Sequence, residues 1–212
     1  GGIAAVALVF RFVPTETRQG VDQIVTRREI PAYEKALDFV QRDLKYRDLA
    51  GRITQGRRTQ VERVMAVYEW TRQNIRDTPP GFPIVDDHIW HIIVRGYGVH
   101  DQKADVFATL AAYAGVRTFW TLLRAPTACR DLPMSFAHVN GHWIVIDVVN
   151  GLTFENSRNM PASVDEIVGD RSIVARAAAG RHYRGVPYAD YFENFCPAAV
   201  VMSCWVFPNA SF

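Results

Sequence analysis

Two stretches of the sequence combine histidines, carboxylates and glycines in an order that could support acyl-transfer chemistry. Residues 95–104, RGYGVHDQKA, place a glycine-containing loop before a helix that begins near His100. Residues 141–147, GHWIVID, are typical of a strand and end in Asp147. A helix N-terminus offers free backbone N–H groups and the positive end of the helix dipole, which lower the pKa of a thiol placed there. The thiolate then needs a histidine to take up its proton and an acid to orient that histidine.

The two stretches together resemble the transglutaminase-like superfamily, which has the papain-type cysteine hydrolase fold. In that family a glycine-containing loop delivers a cysteine to the N-terminus of the central helix. A histidine lies on the first strand of a following hairpin, and an aspartate ends the second strand after a Gly-x-Trp pattern. The Gly-Tyr-Gly loop, the helix start at 101–104 and the Trp143/Asp147 pair match in order and spacing. The resemblance covers residues 59–167, about half of the chain.

The nucleophile that the resemblance implies is missing. His100 stands where the family has its cysteine. Imidazole has no comparable ability to form and release an acyl intermediate, and a helix N-terminus disfavours its protonated form. The sequence therefore predicts a domain that has kept the fold and lost the chemistry.

The predicted hairpin register also leaves no catalytic histidine beside Asp147. If Asn140-Gly141 forms a two-residue turn, His138 pairs with Trp143 and stands four residues, roughly 13 Å, from the level of Asp147. That distance is far beyond hydrogen-bond reach. Met134 then lies opposite Asp147, with Leu132 nearby, and neither can act as a base. On this register Asp147 is the one recognisable member of the triad.

The residue types suggest three alternative sites. Cys129 could be a displaced nucleophile with His138 as a runner-up catalytic residue, but Cys129 has no helix N-terminus or partner histidine beside it. His88 and His91 are spaced as half of a metal site, without a second pair. His100, His138 and Asp147 could imitate a two-histidine, one-carboxylate centre, which the strand distance opposes. We expect no catalytic residue, no metal and no cofactor.

Composition and charge favour an ordinary globular chain. The 212 residues are 49% hydrophobic and 22% charged, with a net charge of +2, which gives no reason to expect nucleic acid binding. The three cysteines form no CxxC pair, so a zinc site built on them is not expected. Cys196 and Cys204 could be a disulfide in an oxidising compartment or two free thiols.

Periodicity predicts helices before strands, and hence an α+β fold with a central helix on an antiparallel sheet and an N-terminal helical layer. Pro31 opens a helix with apolar residues at helical spacing, and a second helix runs from about 59 to 76. A third spans His100 to Gly115 with a buried apolar face. Strands follow at about 116–123, 132–139, 142–149 and 152–154, and a capping box at Ser163 predicts a short helix.

Both ends of the chain are unusually apolar, and we divide it into 1–20, a domain at 21–170 and an extension at 171–212. The first ten residues could be the end of a membrane anchor, a trimmed signal peptide or a buried strand, since they are half the length of a spanning helix. The extension carries apolar side chains suited to a partner surface, among them Val200, Val201, Trp205 and Phe207.

These observations predict a non-catalytic transglutaminase-like domain that binds or scaffolds protein subunits of a membrane-associated, extracytoplasmic (periplasmic) assembly. The first alternative is an active cysteine-type amidase, protease or transglutaminase-like enzyme whose catalytic residues are substituted or misaligned. The second is a peptide- or glycan-binding module that uses the vacant cleft. We also expect the N-terminal segment to contact a membrane.

Overall fold

The computed structural model describes residues 13–21, 24–126 and 130–195. The predictions made for the first ten residues, for Cys129, Cys196 and Cys204, and for Val200, Val201, Trp205 and Phe207 lie outside these ranges.

An antiparallel hairpin and a long helix open the described chain. Strands β1 (Pro14–Val21) and β2 (Ile24–Pro31) pair along their whole length. Pro31 occupies the N-cap position of helix α1 (Ala32–Ile53). The helix was predicted from its periodicity, but the hairpin was not, because both strands carry mainly polar and charged side chains. Only the second half of α1 reaches the core, through Tyr46 and Ala50.

Three further helices complete the N-terminal layer. Helix α2 (Gln60–Asn74) begins at a capping box between Thr59 and Glu62. Helix α3 (Ile89–Arg95) and helix α4 (His100–Tyr113) follow. The two-residue strand β3 (Arg76–Asp77), which comes after α2, pairs in parallel with β4 (Tyr97–Gly98), which connects α3 to α4. The face of α4 predicted to be buried is buried, because α4 contacts α1, α2, α3 and the main sheet.

The main sheet is antiparallel, in the order β5-β6-β7-β8. Its strands are β5 (Thr118–Arg124), β6 (Asp131–Val139), β7 (His142–Asp147) and β8 (Leu152–Thr153). The predicted hairpin register is confirmed: Val139 pairs with His142 and His138 with Trp143. Asn140 and Gly141 both have positive φ, at 50° and 86°, as a two-residue turn of this kind requires.

Short elements follow the sheet. Helix α5 (Val164–Gly169) begins at the predicted capping box between Ser163 and Glu166. Helix α6 (Ser172–Ala178), strands β9 (His182–Tyr183) and β10 (Val186–Pro187), and a 3₁₀ helix (Tyr188–Phe192) complete the described chain.

The main sheet is buried on both faces. On one face Ala137, Ile144 and Ile146 belong to a core shared with the N-terminal helices. On the other face Met134, Phe136 and Val145 share a second core with side chains from 173–195. The mixed helical and antiparallel architecture agrees with the predicted α+β class, and the second core brings residues after 170 directly against the sheet.

Candidate functional site

Two glycines shape the loop that leads to the N-terminus of α4. Gly96 ends α3 in the left-handed conformation, with φ at 72°, which a residue without a side chain adopts at little cost. At Gly98 an added Cβ would lie 3.0 Å from Oε1 of Gln102 and 3.2 Å from Ile92, so a side chain would fit only if these neighbours shifted. The first glycine of Gly-Tyr-Gly therefore allows a sharp turn, and the second allows the loop to lie close to Gln102 and Ile92.

Gln102, which is nearly fully buried in the first turn of α4, ties this loop to its surroundings. Its Oε1 accepts hydrogen bonds from Nη2 of Arg95 at 2.8 Å and from the backbone N–H of Val99 at 3.2 Å. Its Nε2 donates to Oδ1 of Asp87 at 2.7 Å and to the carbonyl of Asp86 at 3.2 Å. These bonds fix where α4 begins and therefore where residue 100 stands.

His100 is the first residue of α4, the place that the sequence predicted for it. Its Nδ1 is buried and has no hydrogen-bond partner among the described residues. The ring of Tyr183, from β9, packs edge-on against the imidazole with 5.5 Å between ring centroids. Burial lowers the pKa of His100, and the nearby charge of Arg184 lowers it further. Both effects favour the neutral imidazole, which is partly buried and has Tyr183 on one side.

Asp147 ends β7, is fully buried, and has both carboxylate oxygens engaged. Oδ1 accepts from the backbone N–H of Asn150 at 2.8 Å. Oδ2 accepts from Nδ2 of Asn150 at 2.7 Å and from the hydroxyl of Tyr188 in the 3₁₀ helix. Burial raises the pKa of Asp147, and these hydrogen bonds oppose that shift. The carboxyl group of Asp147 therefore binds Tyr188 and the turn at Asn150 rather than a histidine.

The strand position opposite Asp147, where the sequence resemblance would place a histidine, is apolar. The register of β6 and β7 ends at Ser135 opposite Ile146, so the next pair is Met134 opposite Asp147. Met134 and Leu132 are both fully buried in the second core. His138 lies four residues further along β6, with its ring edge-on to Trp143 at 5.0 Å between centroids. No histidine stands beside Asp147 within the described residues.

The alternative sites are not assembled in the described part of the chain. His88 and His91 have ring centroids 4.4 Å apart, but His91 hydrogen-bonds to Asp86 at 3.2 Å, and Nη1 of Arg42 lies 3.3 Å from Nε2 of His88. No group of three or more His, Cys, Asp or Glu residues among the described residues could hold a metal ion. Cys129 lies outside these residues, so its role as a displaced nucleophile stays a prediction.

Sequence reasoning missed the residues that occupy the site. Tyr183 and Tyr188 lie 36 and 41 residues after Asp147, and no local pattern links them to it. Asn150 was recognised only as a turn residue. Lys103 was noted as part of the helix start, but its buried ion pair with Asp77, 2.6 Å between Nζ and Oδ1, was not foreseen.

The family comparison agrees with this geometry. Residues 47–148 match the model of the transglutaminase-like superfamily. This part of the chain is a transglutaminase-like domain. The match contains the loop, the central helix and the β6–β7 hairpin on which the sequence resemblance rested. No curated protein matches the sequence.

Solved structures similar to this chain include proteins described as proteases and as a transglutaminase. A proposed cysteine protease from Cytophaga hutchinsonii has 15% identity over 56% of this chain and 40% of its own, with a TM-score of 0.43. A proposed protease from Parabacteroides distasonis has 14% identity over 65% and 36%, with a TM-score of 0.40. A TGase has 9% identity over 63% and 43%, with a TM-score of 0.36. The chain thus spans less than half the length of each of these three structures.

Proposed function

We propose that this transglutaminase-like domain is non-catalytic and acts as a binding or scaffolding subunit. The observation that carries the proposal is the engagement of Asp147 by Tyr188 and Asn150. A transglutaminase-like triad would need that carboxylate to face a histidine, and Met134 occupies the opposite strand position. With His100 at the nucleophile position, the part of the site built from described residues has no thiol, no histidine paired with Asp147 and no free orienting acid.

The absence of catalysis is tested with the full chain and two reagents. A thiol-directed covalent inhibitor of cysteine hydrolases is expected to leave no adduct on any peptide containing residues 95–104. A panel of fluorogenic peptide amides, with an amine acceptor supplied to detect transamidation, is expected to show no turnover. Turnover that is abolished both by an adduct on Cys129 and by Cys129→Ala would support the active-enzyme alternative and reject the proposal.

The scaffolding role is supported by apolar sequence rather than by the cleft. The sequence after Phe195 contains Val200, Val201, Trp205 and Phe207, the apolar side chains that we propose for contact with a protein partner. The vacant-cleft alternative is less favoured, because Tyr183 packs edge-on against His100 and occupies part of the space beside it. We propose that the partners are protein subunits of a membrane-associated assembly and that the domain lies outside the cytoplasm.

Membrane association is tested by fractionating cells that express the natural full-length protein. We expect it in the membrane fraction and degraded by protease added to spheroplasts. No helix among the described residues is long and apolar enough to cross a bilayer. Recovery in the soluble fraction of lysed cells would reject the membrane-associated assembly and leave the argument about the triad intact.

A further inference from the structure

The first half of α1 presents an apolar face to solvent. Tyr33, Leu37, Val40 and Leu44 are 38%, 63%, 52% and 61% exposed. They are spaced by four, three and four residues, which places them on one side of the helix. We call these four residues the outer stripe. Their periodicity is visible in the sequence, where it is typical of a face that packs on something.

The outer stripe points away from the domain's own core. Helix α1 is attached to that core by Tyr46 and Ala50, with Leu49 and Ile53 packed beside them. At about 100° per residue these positions lie roughly opposite the outer stripe on the helix. The N-terminal core therefore cannot cover it, and soluble monomers rarely leave such a surface in water.

The chain itself indicates what lies next to the outer stripe. The backbone N–H of Ala32 donates a hydrogen bond to the carbonyl of Val13 at 2.9 Å. Val13 is therefore held beside Ala32, the first residue of α1, which directly precedes Tyr33 in the sequence. The apolar, uncharged sequence of residues 1–10 is separated from Val13 by only two residues. A surface that took up this apolar sequence would be near enough to contact the outer stripe as well, which is only about 17 Å long from Tyr33 to Leu44.

The shape and charge of this surface favour a bilayer over a protein partner. The outer stripe lies on a convex helix, and four side chains supply far less than the roughly 800 Å² per partner of a stable protein interface. The neighbouring charges are balanced, since residues 33–45 contain three carboxylates and three basic side chains. A lipid surface needs no matching shape, and an amphipathic helix binds it through its apolar face.

We propose that the outer stripe of α1 lies in the interfacial layer of a lipid bilayer, beside the place where residues 1–10 meet the membrane. This proposal rests on the membrane association proposed above, and it adds the outer stripe as a second point of contact with the bilayer. A single short apolar contact binds membranes weakly, so stable attachment takes two signals. Tyr33, with an apolar ring and a polar hydroxyl, lies at the end of the stripe nearest Val13 and suits the headgroup level.

The test uses the full chain with vesicles of neutral phosphatidylcholine. A coumarin amino acid is introduced at Val40 and, in a control protein, at Leu122 on β5, which is similarly exposed at 48%. Lipids that carry a nitroxide near the headgroup are expected to quench the Val40 probe at least threefold more than the Leu122 probe. High salt is expected to leave the difference unchanged, because the local charges are balanced.

A second measurement removes the outer stripe. The triple variant Leu37→Ser, Val40→Ser, Leu44→Ser is expected to lower the vesicle partition coefficient at least tenfold, with the far-ultraviolet circular dichroism retained. A matched triple variant, Asp38→Ser, Gln41→Ser and Lys45→Ser, replaces neighbouring polar residues of the same helix. We expect it to change the vesicle partition coefficient less than twofold.

Four results would overturn the proposal. The full chain could fail to bind vesicles, or the two probes could be quenched equally. The Val40 probe could already be shielded without lipid, which would indicate cover by another part of this chain. Its emission could depend on protein concentration instead, which would indicate a second copy. The absence of catalysis is measured separately and would survive each of these results.

Discussion

The hydroxyl of Tyr188 donates a hydrogen bond to Oδ2 of Asp147, and this contact joins the layer after residue 170 to the last residue of β7. Burial and the neighbouring Asp147 raise the pKa of Tyr188 well above its usual value, so the phenol remains a donor. The side chain of Asp147 is thus part of the packing between the sheet and the C-terminal layer.

Removing the Tyr188 hydroxyl should destabilise the fold. Tyr188→Phe leaves the buried carboxyl group of Asp147 with Asn150 and the Val149 backbone as partners, and removing one partner of a buried polar group costs about 1–3 kcal/mol. We expect the free energy of unfolding in urea to fall by that amount, with an unchanged m-value. The matched control is Tyr191→Phe, which removes a bond to the carbonyl of Tyr183 and should cost about 1 kcal/mol. Equal losses in the two variants would show that the Asp147 contact has no special weight.

Asp105 should make stability depend on pH. Burial raises the pKa of Asp105 to about 6, against the hydrogen bond that Nε1 of Trp120 donates at 2.6 Å. In the unfolded chain an aspartate titrates near pH 4. Between about pH 4 and 6 the folded state holds the extra proton, so stability falls as the pH rises through this window. Above about pH 6 the penalty is fully present.

Asp105→Asn should therefore stabilise the protein at pH 7.5 by about 1–3 kcal/mol and have little effect at pH 4. The asparagine oxygen can still accept from Trp120, so the contact is retained. Urea unfolding at both pH values checks this, with Asp38→Asn on the exposed face of α1 as the control. A difference between Asp105→Asn and the natural protein that is the same at pH 4 and pH 7.5 would contradict the prediction.

Much of the fold could be predicted because the deciding signals are local. The Asn140-Gly141 turn fixes the register of β6 and β7, and the capping box at Ser163 fixes the start of α5. The apolar face of α4 is visible as a periodic pattern. The β1–β2 hairpin was missed because its strands are largely exposed and lack the alternation that marks a half-buried strand.

The site could be predicted only in part, because its defining contacts are distant in sequence. Local spacing placed His100 on a helix N-terminus and Met134 opposite Asp147. The contact of Tyr183 with His100 and the bond from Tyr188 to Asp147 depend on how the layer after residue 170 folds back on the sheet. For α1 the pattern was right, but it could not tell a face that packs on the core from one that points away from it.

The buried Lys103 should depend on Asp77. Its Nζ lies 2.6 Å from Oδ1 of Asp77, and Lys103 is only 8% exposed while the Asp77 side chain is largely exposed. Asp77→Asn removes the partner of a desolvated ammonium group and should cost about 1 kcal/mol, a value reduced by the solvent around Asp77. Lys103→Met removes the charge together with its need for a partner and should cost less.

The double variant completes this comparison. Asp77→Asn combined with Lys103→Met should be about as stable as Lys103→Met alone, because no unpaired ammonium remains. Urea unfolding of the four proteins gives the coupling energy. The prediction fails if Lys103→Met is the more damaging single change, since the lysine stem would then matter more than its charge.

Restoring the thiol alone should not restore catalysis. In His100→Cys the new side chain stands at the N-terminus of α4, where the helix dipole lowers the thiol pKa, so we expect alkylation by iodoacetamide at this site. Hydrolysis and transamidation should stay at background, because Met134 lies opposite Asp147 and the side-chain hydrogen bonds of Asp147 go to Asn150 and Tyr188. Mass spectrometry locates the alkylated residue, and the fluorogenic amides measure turnover. The control is His100→Ser, which has a similar size and no thiol. Turnover in His100→Cys that disappears when His138→Ala is added would show that His138 reaches the site and that the register between β6 and β7 is wrong.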